Sequence, residues 1–186
     1  MARLLLINGL PGSGKSTLAQ RYVADRPLSL CLDIDVVRGL LGNWLGQPLE
    51  AGLMARRVAL TMAQVVLGEG RDVVVPQFLG RPGFIDELED LARRLAVEFV
   101  EVVLLDEVEV AVARLAQRAA GPMTGAQRDA HVLLDRDGGL SAVAEMHHRL
   151  QGVLAERPGA RRVVPVPGDV ERTYQSVLAC LGPRDQ

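Results

Sequence analysis

Short unbroken apolar runs alternate along this chain with longer stretches whose apolar residues recur at helical spacing. Residues 3–8, 28–33, 73–76, 98–105 and 161–166 read as strands. The run Val73-Val74-Val75 has the continuous apolar character of a strand buried on both faces. Helices are predicted from residue 16 and over about 35–41, 50–69, 83–95, 107–119, 141–156 and 170–181. In the long 50–69 segment, Leu53, Val58, Leu60, Met62, Val65 and Val66 keep the helical period. Strand and helix in alternation predict an α/β domain with a five-stranded parallel sheet and helices on both faces. Two segments break the pattern. Residues 42–48, around Trp44, are turn-rich. Residues 120–139 are small, polar and glycine-bearing, with Arg128 and Arg136, and read as a lid over about residues 120–140.

The first strand runs directly into Gly9-Leu10-Pro11-Gly12-Ser13-Gly14-Lys15-Ser16-Thr17, and a helix opens at its end. Glycines at both ends followed by Lys and a hydroxyl residue make a phosphate-binding loop, and the strand-loop-helix context is the one the motif requires. Glycines let the backbone wrap a phosphate closely, and the free amides of the helix start point at the anion. The motif places Lys15 at the β- and γ-phosphates of a nucleoside triphosphate and the Ser16 hydroxyl on Mg²⁺.

A second cluster, Asp33-Ile34-Asp35-Val36-Val37-Arg38, closes the second strand. Ligands of open α/β sheets lie beyond the carboxyl ends of the strands, so this segment should face the phosphate loop. A carboxylate there can accept a proton from an attacking hydroxyl or hold the metal through water, and Arg38 can position an acceptor. Helix capping is the competing use, but capping needs only one of the two aspartates. In 113–118, Arg114 and Arg118 stand four apart and share a helical face, from which guanidinium groups can follow a moving phosphoryl charge. Asp106-Glu107 after an apolar run imitates the metal site of motor ATPases. Helix capping is the simpler expectation for Asp106.

The phosphate loop, the strand-end Asp-x-x-Arg and the two helix arginines resemble the small P-loop kinases of the AAA-33 or zeta-toxin-like group. The resemblance implies a three-layer P-loop sandwich with a helical lid, formed by residues 1–186 as one kinase domain. It implies transfer of the γ-phosphoryl of ATP, with Mg²⁺, to a hydroxyl of a small molecule: a nucleoside, sugar, antibiotic-like or nucleotide acceptor. In that family the strand-end aspartate activates the acceptor; it maps onto Asp35, with Asp33 as the alternative. The lid-side arginines map onto Arg114 and Arg118, and the adenine rests near the loop containing Gly168 and Asp169. Relatives carry a different polar group where Gln77 stands here. Gln77, Arg81 and Trp44 are candidates for acceptor contact, as is Phe78.

Composition narrows these readings. The 186 residues fit one domain, and 48% hydrophobic against 24% charged content supports a packed core. A net charge of −2 lacks the basic surplus of a nucleic-acid binder, and 3% aromatics provide little for base stacking. Cys31 and Cys180 stand in no metal or redox motif and read as reduced thiols of a cytoplasmic protein. The apolar start is shorter than a signal peptide requires, and no stretch is long enough for a membrane span. His131, His147 and His148 lack metal-ligand spacing. No Asn-Lys-x-Asp segment is present to select guanine. The competing reading from another class is a nucleotide-binding regulatory ATPase with no small-molecule acceptor.

Overall fold

Five parallel strands make one sheet: β1 Arg3–Gly9, β2 Leu30–Cys31, β3 Val73–Pro76, β4 Glu98–Leu104 and β5 Arg161–Val163, in the order β2-β3-β1-β4-β5. The computed structural model describes residues 2–182. The intervening helices are α1 Lys15–Ala24, α2 Ile34–Gly39, α3 Pro48–Gly68, α4 Gly83–Arg94, α5 Val108–Ala119, α6 Gly125–Arg136, α7 Ala142–Glu156 and α8 Val170–Leu181.

The central position of β1 follows from its side chains, all of which are buried. Strand alternation sends Leu4 and Leu6 to one face, against α3 and α4, and Leu5 and Ile7 to the other, against α1 and α8. Val73 and Val75 join the first cluster and Val74 the second. Helix α7 covers β4 on the first face through Leu150 and Leu154 against Val103. The sheet is therefore covered on both sides, as an all-parallel sheet requires.

The long helix forms where the period predicts it, but its buried stripe is Ala51, Ala55, Ala59, Ala63 and Leu67. Small residues at i, i+4 let α3 approach the sheet closely, while Leu53, Val58, Met62 and Val65 of the periodic pattern face outward. Two boundaries also differ from expectation. The second strand is only two residues long because it is an edge strand paired on one side, with β3. The fifth stops at Val163, short of Pro165, whose missing N–H cannot extend a ladder. The lid stretch is mostly helical, as the family resemblance implies. Thr124 accepts from the Gln127 N–H and Gln127 reciprocates at the Thr124 N–H, a capping box that starts α6.

Away from the strands' carboxyl ends, buried Asp72 joins three elements. It accepts from the Arg3 N–H at 3.0 Å and the Tyr22 hydroxyl at 2.8 Å, and lies 3.8 Å from the Arg26 guanidinium. Replacing it removes an acceptor from a buried amide and a buried phenol while leaving the active end untouched. Asp72→Ala should lower the unfolding free energy by about 3 kcal/mol, read from the urea midpoint at unchanged slope.

Candidate active site

The loop between β1 and α1 takes its shape from glycines that no other residue replaces without strain. Gly12 and Gly14 have φ of +88° and +93°, and a Cβ on Gly12 would stand 3.1 Å from the Ala111 carbonyl oxygen. Nothing lies within 4 Å of a Cβ on Gly14, the residue at the helix start, so the backbone there is open to an approaching anion. Gly9, where β1 turns into the loop, packs against Ser13 and Leu104. Ser13 Oγ is buried with no hydrogen-bond partner. Lys15 Nζ, also buried, donates to the Leu10 carbonyl at 2.7 Å. An orphaned hydroxyl and a buried ammonium beside an open helix start fit a phosphate chain.

Burial pushes the Lys15 ammonium down to about 8 from its ordinary 10.5. The Asp35 carboxylate opposes that shift, Arg118 reinforces it, and Asp33 and Asp106 oppose it more weakly. Lys15 is thus a charge held in a buried place by carboxylates on two strand ends.

The two aspartates after β2 divide their tasks. Asp33 caps α2, its Oδ1 accepting from the Asp35 N–H at 2.9 Å. Its Oδ2 accepts from Ser16 Oγ at 3.3 Å, which puts a carboxylate and a hydroxyl side by side at the phosphate loop. Oxygen donors of this kind suit Mg²⁺. Asp35 pairs with Arg38 at 2.9 Å and takes a hydrogen bond from Gln77. Burial raises the Asp35 carboxyl above the usual range, with Arg38 pulling against it and Asp33 adding to it. The cap expected of one aspartate is seen at Asp33, and Asp35 is left lining the cavity.

Arg118 reaches the same place from α5. Among the described residues it has no hydrogen-bond or ion-pair partner, and its charge is felt at Lys15. Arg114 is different: its Nη1 donates to both carboxylate oxygens of Asp106, at 3.0 and 2.9 Å. Asp106 is therefore not the helix cap expected of it. Glu107 holds the capping position and makes no side-chain bond there.

Two cavities meet at the loop and share Gly12, Gly14, Thr17 and Arg118. The smaller, about 280 Å³, is bounded by Arg114, Pro165, Val166, Gly168 and Asp169, the last two being residues expected near the base. The larger, about 820 Å³, runs from Pro11, Lys15, Ser16 and Thr17 past Asp33, Asp35, Arg38 and Gln77 to the underside of α6.

Trp44 and Arg81 are not in its wall. Trp44 is buried with the Arg38 guanidinium 4.5 Å from its ring centre, so the indole supports Arg38 from behind. Arg81 is an exposed charge in the turn before α4, where solvation costs it nothing. The lid arginines also face elsewhere: Arg128 donates to the Met123 carbonyl and Arg136 to the Leu45 carbonyl. Sequence reading missed the lid residues that do line the cavity, among them Asp129, Leu133 and Asp137. The Thr124-x-x-Gln127 capping box was the signal that would have revealed their helix.

A glycine cradle ahead of a buried lysine, at the carboxyl edge of a parallel sheet with the first strand central, defines a small P-loop kinase-like protein. More particularly, residues 4–137 match the AAA_33 family, an AAA domain, and the chain belongs to that family. The proteins Mb2027c of Mycobacterium bovis and Rv2004c of Mycobacterium tuberculosis are each 36% identical over 135 residues, covering 64% of this chain and 26% of theirs. The chain thus spans about a quarter of the length of these relatives. Among solved structures, the Deinococcus radiodurans tunicamycin resistance protein superposes with a TM-score of 0.64 at 16% identity, covering 98% of this chain and 96% of its own. A gluconokinase from Sinorhizobium meliloti 1021 gives 0.61 at 17% identity, over 95% and 90%. These likenesses are of fold. Among the described residues no helix is long and apolar enough to cross a membrane.

The lowered Lys15 value has a measurable consequence. Above about pH 8 the free protein holds this side chain partly neutral, and a triphosphate favours its charged form. ATP binding should then take up protons above that pH and none from this group well below it. Calorimetric titration in buffers of different ionisation heat measures the uptake, and Lys15→Ala should remove it.

Proposed function

We propose that this chain transfers the γ-phosphoryl of ATP, with Mg²⁺, to a hydroxyl group of a small molecule held in the larger cavity. The observation that carries the proposal is the continuity of that cavity: one space holds Lys15 and Ser16 at one end, Asp35 midway, and an uncommitted region under the lid beyond. Its volume is in the range of small-molecule sites, and the space past Asp35 is what an acceptor needs and a nucleotide switch does not.

In this reading the loop amides and Lys15 bind the triphosphate, and the base lies toward Gly168 and Asp169. Ser16, with Asp33 beside it, would hold Mg²⁺, which when bound neutralises phosphate oxygens. Asp35 receives the proton of the acceptor hydroxyl as its oxygen bonds to the γ-phosphorus and the bond to the β-phosphate oxygen breaks, releasing ADP. A carboxylate raised by burial is the more basic one and suits this task. Arg38, stacked on Trp44, keeps Asp35 aimed. Arg118 is free to follow the charge on the moving phosphoryl. The lid excludes water, which would otherwise compete as acceptor.

Two substitutions separate the aspartates. Asp35→Asn should lower turnover by about 10²-fold or more with ATP affinity nearly unchanged. Asp33→Asn should act chiefly by raising the Mg²⁺ concentration needed. The pH profile of the native protein should show an acid limb displaced above the ordinary carboxylate range, since activity is lost as Asp35 is protonated on lowering the pH. Steady-state ADP release at varied Mg²⁺ and pH measures all three. An Asp33→Asn variant with the larger loss of turnover at saturating Mg²⁺ would move the base to Asp33.

A further inference from the structure

The far part of the larger cavity has a definite chemical character. Val36 of α2 and Leu40 just beyond it, Phe78 after β3, Met123 and Leu133 of the lid, and Met146 of α7 give it apolar walls. Its charges are unevenly assigned. The cations among its described lining residues are Lys15, Arg118 and Arg38, with His131 when protonated. Lys15 and Arg118 belong to the phosphate end. Arg38 is committed to Asp35 at 2.9 Å and to the Trp44 ring, and His131 lies 3.6 Å from Asp135.

The lid presents its own charges to the cavity selectively. Asp129 and Asp137 are in the wall, whereas Arg128 and Arg136, each next to one of them in sequence, are turned away and bonded to the backbone carbonyls of Met123 and Leu45. On a helix, neighbours in sequence point about a quarter-turn apart, so this is a choice of which sign faces inward. An anion placed beneath the lid would meet two carboxylates, while Arg118, the guanidinium left unpaired among the described lining residues, lies at the phosphate end where the two cavities join. Like charges juxtaposed at a binding site disfavour the wrong partner.

On the reading of this cavity as a phosphoryl-acceptor site, we propose that the acceptor is an uncharged or cationic hydroxyl compound with an apolar body. Asp129 and Asp137 select against anionic acceptors such as nucleotides and sugar acids. The apolar walls hold the body of the molecule, the hydroxyl faces Asp35, and an amine, where there is one, lies toward the lid carboxylates.

Three probes with the same benzyl body and a hydroxyl test this: phenylalaninol (cationic), 3-phenylpropane-1,2-diol (neutral) and 3-phenyllactate (anionic). Binding is measured by calorimetry to the full chain saturated with Mg²⁺ and a non-hydrolysable ATP analogue, whose own binding isotherm tests the nucleotide site separately. Phenylalaninol and the diol should bind, with phenyllactate weaker than the amine by about tenfold or more. The double variant Asp129→Lys/Asp137→Lys should narrow or reverse that order, and Asp129→Asn/Asp137→Asn should level it if the lysines disturb folding. Phenyllactate binding as tightly as the amine to the native protein would overturn the proposal. Nucleotide binding with none of the three probes bound would also overturn it, while leaving the phosphotransferase reading intact. ADP release stimulated by anionic acceptors alone would have that same double meaning.

Discussion

An ammonium buried at the end of a sheet is the constraint around which this molecule is arranged. Lys15 sits on the first turn of α1 with a single backbone carbonyl as hydrogen-bond partner, and burial works against its charge. What offsets burial is the convergence of carboxylates from separate strands: Asp33 and Asp35 follow β2, and Asp106 follows β4. Parallel strands bring the pair after β2 and Asp106 after β4 to one edge although they are far apart in sequence, because every strand ends on the same side. The central place of β1 puts the lysine between the two carboxylate sources. A lysine poised in this way has its charge restored by an anion, which makes ligand binding and proton balance one event.

The division between Asp33 and Asp35 has the same origin. A two-residue edge strand followed at once by a helix leaves one aspartate as the cap and the next in the first turn. The cap cannot rotate away, since its Oδ1 is tied to the Asp35 amide, so only Oδ2 is left to meet Ser16. The second aspartate points into the cavity with Arg38 one turn on, and Arg38 is itself steadied by the buried Trp44. Trp44 therefore bears on the site through Arg38, without touching the cavity. Adjacent residues of similar chemistry acquire different environments, and environment is what separates a group suited to a metal shell from one suited to a proton.

Much of the fold was legible because its signals are local and strong. Unbroken valines declared β3, the glycine-lysine-serine loop declared its own strand-loop-helix context, and the helical period of residues 50–69 declared α3. What escaped was information that only packing supplies. The face α3 buries is set by alanines whose small size matters only against a sheet, and a scan for large apolar residues points to the opposite side. Trp44 and Arg81 were named as acceptor contacts by position along the chain, yet one lies beneath an arginine and the other in solvent. A helical lid was implied by the resemblance, but the capping box that fixes where its helix starts went unread among the glycines and polar residues. Which of its charges faces inward depends on helix rotation, which no linear pattern contains.

The arginine pair on α5 shows how tertiary context splits residues that spacing makes equivalent. Arg114 and Arg118 share a helical face, but Arg114 is one turn nearer the end of β4, where nearly inaccessible Asp106 awaits it. The bidentate pair ties the base of α5 to the sheet. Arg118, in the last turn before the lid, is left unpaired among the described residues, at the junction of the two cavities. The same pair bears on the motor-like Asp-Glu pattern at residues 106–107. For Asp106 to hold a metal or activate water it would have to surrender two charge-assisted bonds of 2.9 and 3.0 Å and leave Arg114 half-buried without a partner. Burial raises the Asp106 carboxyl even with that partner present, so losing it would favour the protonated, chemically inert form. The carboxylate after β4 is thus committed to holding the lid's foundation, which leaves the pair after β2 as the site's chemically available acids.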